Sequence, residues 1–187
     1  GQPRESLYRF IGPPLHESYE KFYSFSREQA IQAVSYYREY YEEKGMFENE
    51  VYPGIKELLR VLTKQGILCL VATSKPEIYA KKILDYYKLR TYFHYIAGAN
   101  MDGTRTDKAE VIAYALKQIP AEYNNKKILM VGDRSHDIIG AKKNGIDCAG
   151  VLFGYGSREE LEEAGADFVA DSVEAVRNII LLDTAMN

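Results

Sequence analysis

The sequence predicts an α/β fold built on a parallel sheet, and three observations carry that prediction. After residue 53, segments with helical periodicity alternate with short apolar runs, the pattern of strands joined in parallel through helices. The run Ile128–Val131 is apolar without alternation, as expected for a strand covered on both faces. Residues 1–45, by contrast, carry helical patterns and no strand signal. We therefore expect a helical region followed by an α/β core.

The helical region shows two segments with distinct start signals. After Pro14, the apolar residues Leu15, Tyr19, Phe22 and Tyr23 recur at helical spacing. Ser26 to Gln29 is a capping-box pattern, in which a serine and a glutamine satisfy backbone groups at a helix start. A second helix should follow it and end at Gly45. Residues 44–53 then form a predicted linker.

The core elements are predicted in order from periodicity, caps and breakers. Gly66 closes the first helix, Asp107 caps the third, and Ser157 to Glu160 cap the fifth. Pro76 is expected at the first position of the second helix. The helices are predicted at 54–65, 76–87, 107–119, 134–144, 157–164 and 173–182. The strands are predicted at 67–72, 95–98, 128–131, 148–153 and 167–170.

Composition narrows the class of function. The 187 residues suffice for one domain with a small appendage, and the formal net charge of −3 comes without a basic block. We therefore expect no nucleic-acid or membrane partner, and a monomer or homodimer. Cys69 and Cys148 lie in separate predicted strands without CxxC spacing, which favours a reducing cytoplasm over a disulfide framework. No apolar run is long enough to span a bilayer.

Polar side chains follow three of the predicted strands. Thr73 and Ser74 follow the first, Lys108 comes shortly after the second, and Asp133 and Asp137 follow the third after Gly132, which we expect to let the backbone turn sharply. The carboxyl ends of parallel strands share one sheet edge, so these groups should converge. A hydroxyl and an ammonium suit a phosphate, and two acids four residues apart suit Mg²⁺. The pattern predicts phosphate chemistry with a magnesium ion.

Each of these residues also has a structural explanation when taken alone. Asp133 and Asp137 would then be a helix cap and a solvated helix residue. The Thr73 hydroxyl would satisfy backbone at a strand end. Lys108 would be a solvated lysine of a first helical turn, although a cation there opposes the helix dipole.

The order Thr73-Ser74, Lys108 and Gly132-Asp133-(three residues)-Asp137 resembles motifs two, three and four of the haloacid-dehalogenase-like phosphatases. Four flanking segments resemble the phosphoglycolate-phosphatase-like branch: residues 71–76, 102–108, 131–137 and 154–157. Residues 10–14 and the helices after them resemble the second part of that branch's helical cap. The resemblance implies a doubly wound parallel sheet, Rossmann-like, over residues 46–187, with a partial cap over residues 1–45. It also implies a Mg²⁺-dependent phosphomonoesterase that works through an aspartyl-phosphate.

The resemblance assigns a role to each motif residue. Thr73 would bind the transferred phosphoryl group, with Ser74 adding a contact. Lys108 would steady the nucleophile and the phosphate. Asp133 would ligate Mg²⁺, and Asp137 would support the metal shell or orient Lys108. Cap residues from Arg9 to Pro14 would help to select the substrate.

The family's first motif, Asp-x-Asp-Gly-Thr, with the attacking aspartate, is absent from this chain. Asn100 to Thr104 is similar, but the neutral amide of Asn100 cannot form an acyl-phosphate. The resemblance places the motif's strand between the 67–72 and 128–131 strands, so two unpaired strand edges are expected there. We expect the natural protein to carry a further N-terminal segment of roughly 20–35 residues, the size of a strand and a helix with loops.

Several functions fit this pattern. Phosphoglycolate, a nucleoside monophosphate and a sugar phosphate are all compatible substrates for a phosphatase. The alternative from another class is a non-catalytic protein of the same fold that binds a phosphorylated ligand or a partner. A phosphomutase or dehalogenase relative is a third possibility, and the two acids favour metal-dependent phosphoryl chemistry over metal-free dehalogenation.

Overall fold

The computed structural model describes residues 3–10 and 14–185, and the chain divides into two compact units, residues 1–50 and 51–187. The division falls within the predicted linker 44–53. Assignment of the first unit to a substrate-selecting cap remains a prediction. Residues 11–13, within the segment expected to help select the substrate, lie outside the described residues.

The first unit is helical, as predicted. A 3-10 helix spans Arg4–Phe10, α1 spans Leu15–Tyr23, α2 spans Arg27–Glu43, and a short 3-10 turn covers Gly45–Phe47. The capping box at Ser26 is confirmed: the Gln29 amide donates to Ser26 Oγ at 3.3 Å, and the Ser26 amide donates to Gln29 Oε1 at 2.9 Å. These two bonds satisfy backbone donors that the first helical turn leaves without partners.

The second unit contains the predicted core elements in the predicted order. Its helices are α3 Ile55–Lys64, α4 Glu77–Tyr86, α5 Lys108–Leu116, α6 Ser135–Lys143, α7 Arg158–Glu163 and α8 Val173–Ala185. Its strands are β1 Leu70–Pro76, β2 Tyr95–Ala99, β3 Leu129–Gly132, β4 Asp147–Val151 and β5 Phe168–Ala170. Within the described residues, no helix combines the length and apolar character needed to cross a bilayer.

The predicted boundaries of β1 and of the start of α4 were wrong. The strand begins at Leu70 and continues through Thr73 and Ser74 to Pro76. Pro76 is therefore the N-cap of α4, with an extended ψ of 130°, and not its first helical residue. The strand continues because its pairing with β2 resumes after a bulge, with Pro76 opposite Ala99.

The strands form two separate parallel sheets, β1-β2 and β3-β4-β5. Leu70 pairs with Tyr95 in the first sheet, and Leu129 pairs with Asp147 in the second. Within the described residues no ladder joins β1 to β3, so the break lies where the sequence predicted two unpaired edges. Val131, in the middle of β3, is consequently 37% exposed.

Helices α5 and α6 bring the ends of the two sheets together. α5 packs on β1, on β2 and on α6, while α6 packs on β3 and β4. Beneath α6, the fully buried residues Ile138, Ala141, Cys148 and Leu161 form one core cluster. At the α5–α6 crossing, Gly140 lies against Ile112 and Lys108, where a larger residue would be crowded. The N-termini of α5 and α6 thus meet near the carboxyl ends of β1 and β3.

Candidate active site

Lys108 connects the two sheets at their carboxyl edge. It is the first residue of α5, behind the N-cap Asp107, whose carboxylate accepts from the amides of Ala109 and Glu110. Its Nζ lies 2.9 Å from Asp137 Oδ1 and donates to the carbonyl oxygen of Ala72 at 3.2 Å. The side chains of Lys108 and Asp137 are only 14% and 9% exposed. Lys108 is therefore not a solvated surface lysine.

Asp137 uses both of its carboxylate oxygens within the chain. While Oδ1 faces Lys108, Oδ2 accepts from the backbone amides of Asp133 and Arg134, each at 3.1 Å. It is thus neither solvated nor free. The carboxylate neutralises the lysine and satisfies amides at the start of α6, where the helix dipole favours a negative charge.

Gly132 is required by this arrangement, though not for the reason expected from the sequence. Among the described residues, the glycines with positive φ do not include Gly132, so its backbone needs no left-handed turn. A Cβ added at this position would instead overlap the side chain of Asp137. Glycine is needed here because Asp137 folds back against the end of β3.

Asp133 is held by the loop that follows β4. Its Oδ2 accepts from the Tyr155 amide at 2.8 Å, and its backbone oxygen accepts from the Gly156 amide at 2.9 Å. A Cβ at Gly154 would overlap the Asp133 side chain, and one at Gly156 would overlap its carbonyl oxygen. The two glycines therefore allow the loop to close on Asp133 and fix its carboxylate.

Thr73 lies beside this group on β1, directly after the residue whose carbonyl Lys108 contacts. Its Oγ1 accepts from the Lys75 amide at 3.1 Å, the backbone role that the structural explanation anticipated. A hydroxyl that accepts one bond still has its own hydrogen to donate. Ser74 is half-buried in the same strand. The phosphate-binding roles of Thr73 and Ser74 remain predictions.

The structure shows a contact of Glu160 beside Asp133 that the sequence did not indicate. Its amide donates to Ser157 Oγ at 3.1 Å, as the predicted cap requires. Its carboxylate, however, accepts from the Ser135 amide at 2.8 Å and from Arg134 Nε at 2.9 Å. Burial would raise the pKa of Glu160, but the bonds from Ser135 and Arg134 outweigh it, and the pKa lies below its usual value. A contact across 25 residues leaves no periodic signal in the sequence.

Arg105 is a second residue that sequence reasoning missed. Its Nε donates to the Gly98 carbonyl at 2.8 Å, its Nη2 donates to Asn100 Oδ1 at 2.9 Å, and its guanidinium lies 3.8 Å from the centre of the Tyr114 ring. These contacts anchor the loop that leads to Lys108. Within that loop, Asp102 Oδ1 accepts from the amide and hydroxyl of Thr104. The Asp102 carboxylate is thus bonded within its own turn.

Of the two predicted metal-binding carboxylates, Asp133 has an oxygen available for a magnesium ion and Asp137 does not. Within the described residues, Asp133 Oδ1 has no hydrogen-bond partner, whereas both oxygens of Asp137 have partners. No cluster of three or more His, Cys, Asp or Glu side chains suited to a metal occurs in residues 3–10 and 14–185. Magnesium commonly takes one or two protein carboxylates and fills its octahedron with water and phosphate oxygens. Asp133 suits direct ligation, and the geometry favours a supporting role for Asp137.

Comparison with known proteins finds one matching family and several similar phosphatases. The model of the family "Haloacid dehalogenase-like hydrolase" matches residues 2–151. A 5'-nucleotidase of Pseudomonas aeruginosa is 39% identical over 176 residues, which cover 93% of this chain and 78% of that protein. The crystal structure of a predicted phosphatase from Clostridium acetobutylicum superposes with a TM-score of 0.88 at 44% identity, covering 97% of this chain and 83% of that one.

A third relative carries a different name. The tyrosine-protein kinase PtkA of Mycobacterium tuberculosis is 36% identical over 173 residues, or 91% of this chain. The matched region spans 58% of the length of that kinase. The structure of PtkA superposes with a TM-score of 0.80 at 34% identity, covering 96% of this chain and 82% of that one.

Proposed function

The chain belongs to the haloacid dehalogenase-like hydrolase family, and we propose that it is a Mg²⁺-dependent phosphatase acting on a small cytoplasmic phosphomonoester. The observation that carries this proposal is the bridge made by Lys108. One buried ammonium contacts both Ala72 of β1, next to Thr73, and Asp137 at the start of α6. A phosphate bound by Thr73 would thus have its negative charge neutralised by Lys108, and this supports the proposal.

In the proposed reaction, each residue acts on the phosphoryl group or on its neighbours. Thr73 donates its hydroxyl hydrogen to a phosphoryl oxygen, and Ser74 adds a second contact. Lys108, held in place by Asp137, stabilises the negative charge that develops on the phosphoryl oxygens. Asp133 holds the magnesium ion, which supplies further charge stabilisation when bound. Preorganised groups of this kind need little rearrangement during the reaction.

We propose that the attacking carboxylate comes from an aspartate that is not among the 187 residues of this chain. Within the described residues, the carboxylates of Asp133, Asp137 and Glu160 lie at this edge, and each already accepts bonds from protein groups. The attacking carboxylate oxygen forms a bond to phosphorus as the bond to the leaving oxygen breaks, and the leaving oxygen takes up a proton and departs as an alcohol. Water then hydrolyses the aspartyl-phosphate and regenerates the carboxylate.

Among the compatible substrates, we propose nucleoside monophosphates as the first class to test. The support is the relative named 5'-nucleotidase, which is 39% identical and matches 93% of this chain. Phosphoglycolate follows, because relatives named phosphoglycolate phosphatase are 28% identical over 92% of the chain.

The test is phosphate release from a panel of these substrates with and without Mg²⁺. We would assay the 187-residue chain and the product of the complete natural gene, and compare the latter's intact mass with 21.3 kDa. Release by the natural product alone supports an attacking aspartate outside this chain. Absence of release by both, together with retained phosphate-ester binding, overturns the phosphatase proposal in favour of the non-catalytic alternative.

A second candidate function is phosphoryl transfer to a tyrosine. The observation that favours it is the 36% identity, over 91% of this chain, to a protein named a tyrosine-protein kinase. The same assay separates the two candidates if ATP and a tyrosine-containing peptide are included. Phosphate appearing on the peptide supports the kinase, whereas free phosphate from a monoester supports the phosphatase.

A further inference from the structure

Glu160 is a carboxylate of α7 that contacts the start of α6 beside the proposed metal ligand. We propose that Glu160 is a positioning residue, which holds the loop from Asp133 to Ser135 in the conformation in which Asp133 binds a divalent cation. The inference rests on the proposed function, because it takes Asp133 as the cation ligand. It adds a residue outside the four family motifs.

The first support is the geometry of the two bonds. Glu160 Oε1 accepts from the Ser135 amide at 2.8 Å and from Arg134 Nε at 2.9 Å. The two donors belong to the two residues directly after Asp133. The side chains of Arg134 and Glu160 are 21% and 27% exposed, so water competes little for their ion pair. A charge-assisted bond of this kind is stronger than one between neutral groups.

The second support is that the loop before α7 binds Asp133 itself. The amides of Tyr155 and Gly156 bind the carboxylate and the carbonyl of Asp133, at 2.8 Å and 2.9 Å. Glu160 follows these residues by one helical turn, and Ser157 Oγ joins the loop to α7 by accepting from the Glu160 amide. The segment 154–160 therefore contacts Asp133 itself and the two residues that follow it.

A role limited to anchoring α7 does not account for these contacts. Leu161, the next residue, is fully buried against Ile138, Ala141 and Cys148 and already anchors the helix. Loss of the Glu160 carboxylate should therefore leave α7 docked. The bonds to Ser135 and Arg134 would be lost, and the effect should concentrate on the loop that carries Asp133.

The test is divalent-cation binding by Glu160→Ala and Glu160→Gln, with Glu162→Gln as a matched control. Glu162 lies on the same helix and forms an exposed ion pair with Arg158, with side chains 54% and 51% exposed. Mn²⁺ serves as the probe, because electron paramagnetic resonance counts the free ion directly. We expect Glu160→Ala to weaken Mn²⁺ binding about tenfold, in line with losses seen when groups supporting a metal ligand are removed.

The two variants of Glu160 separate positioning from general stability. The amide oxygen of glutamine still accepts from Ser135 but lacks the charge that pairs with Arg134, so Glu160→Gln should fold and lose less Mn²⁺ affinity than Glu160→Ala. Hydrogen exchange at the Ser135 amide should accelerate in Glu160→Ala alone. In the phosphatase assay, the Mg²⁺ concentration for half-maximal activity should rise about tenfold, in proportion to the weaker binding. The turnover number at saturating Mg²⁺ should stay near that of the unaltered enzyme.

The outcomes distinguish the inference from the function on which it rests. Wild-type Mn²⁺ affinity in both variants, or an equal loss in Glu162→Gln, overturns the positioning role and leaves the proposed function standing. An unaltered protein that binds no Mn²⁺ overturns the metal assignment of Asp133 and the positioning role with it. If Glu160→Ala fails to fold, the Glu160→Gln variant decides. The inference stands if this variant binds Mn²⁺ more weakly than the unaltered protein and has the same thermal stability. It falls if the Mn²⁺ affinity is unchanged.

Discussion

Lys108 and Asp137 form a buried ion pair, with Nζ 2.9 Å from Oδ1, that joins the first residue of α5 to the first turn of α6. The same ammonium reaches the Ala72 carbonyl on β1, and the same carboxylate binds two amides at the end of β3. One pair of side chains thus connects the ends of two separate sheets and arranges the candidate site.

Replacing Lys108 with alanine should remove most phosphatase activity and destabilise the protein. The substitution leaves Asp137 buried without its cation, a change that costs about 3 kcal/mol in typical proteins. Chemical denaturation and phosphate release would measure the two effects. Lys142→Ala, which breaks a more exposed pair with Asp167, is the control and should retain turnover. A Lys108→Ala enzyme with unchanged rate would exclude the proposed role of the ammonium.

Replacing Asp133 with asparagine should weaken Mg²⁺ binding and reduce turnover by roughly 100-fold or more, the scale of losing a main transition-state contact. The amide oxygen of asparagine still accepts from Tyr155, so the loop should keep its fold. Isothermal titration with Mg²⁺ and steady-state kinetics would measure both changes. Asp147→Asn, at an exposed position that begins β4, serves as the control. Activity near that of the unaltered enzyme at saturating Mg²⁺ would contradict direct ligation by Asp133.

Replacing Gly132 with alanine should lower the free energy of unfolding more than replacing Gly103, a loop glycine with a positive φ, as urea unfolding would measure. The added Cβ overlaps Asp137, whose displacement would break its bonds to Lys108 and to two amides. Overpacking of this kind costs about 1–3 kcal/mol before the lost bonds are counted. Gly103→Ala is the comparison, because its φ is +85° and its surroundings are open. Equal loss of stability in the two variants would show that Asp137 moves aside freely.

The stability contributed by Asp167 should depend on pH. The ion pair with Lys142, followed by the bond from the Cys148 amide, lowers the pKa of Asp167 below its ordinary value of about 3.9. A lowered pKa in the folded state stabilises the protein above the unfolded pKa, and that contribution is lost as pH falls through the folded pKa. The stability difference between the unaltered protein and Asp167→Asn should thus be constant above pH 5 and shrink below about pH 4. The measurement is urea unfolding across this range.

The matched control for that titration is Asp85→Asn, which removes an exposed partner of Arg90. Exposed ion pairs contribute little to stability, so this variant should unfold like the unaltered protein at each pH. A pH-independent difference for Asp167→Asn would show that its carboxylate does not stabilise the folded state through its charge.

Much of the fold and part of the site follow from signals that span only a few residues. The Ser26 capping box and the Asp107 cap were read correctly, because a cap binds amides two or three residues away. The four-residue spacing of Asp133 and Asp137 likewise placed both carboxylates at one helix start. The sequence also indicated where the sheet divides, between β1 and β3.

Only the tertiary structure decided how these residues are used. From the sequence, Asp137 could either ligate the metal or support its surroundings. In the structure, its two oxygens bind Lys108 and the amides of Asp133 and Arg134, which favours the supporting role. Glu160 takes part in the predicted helix cap through its amide, and its carboxylate also binds Arg134 and Ser135. Periodicity and capping patterns depend on backbone hydrogen bonds between near neighbours. The partners of a side chain across 25 or more residues depend on how helices and strands pack, and no local pattern encodes that choice.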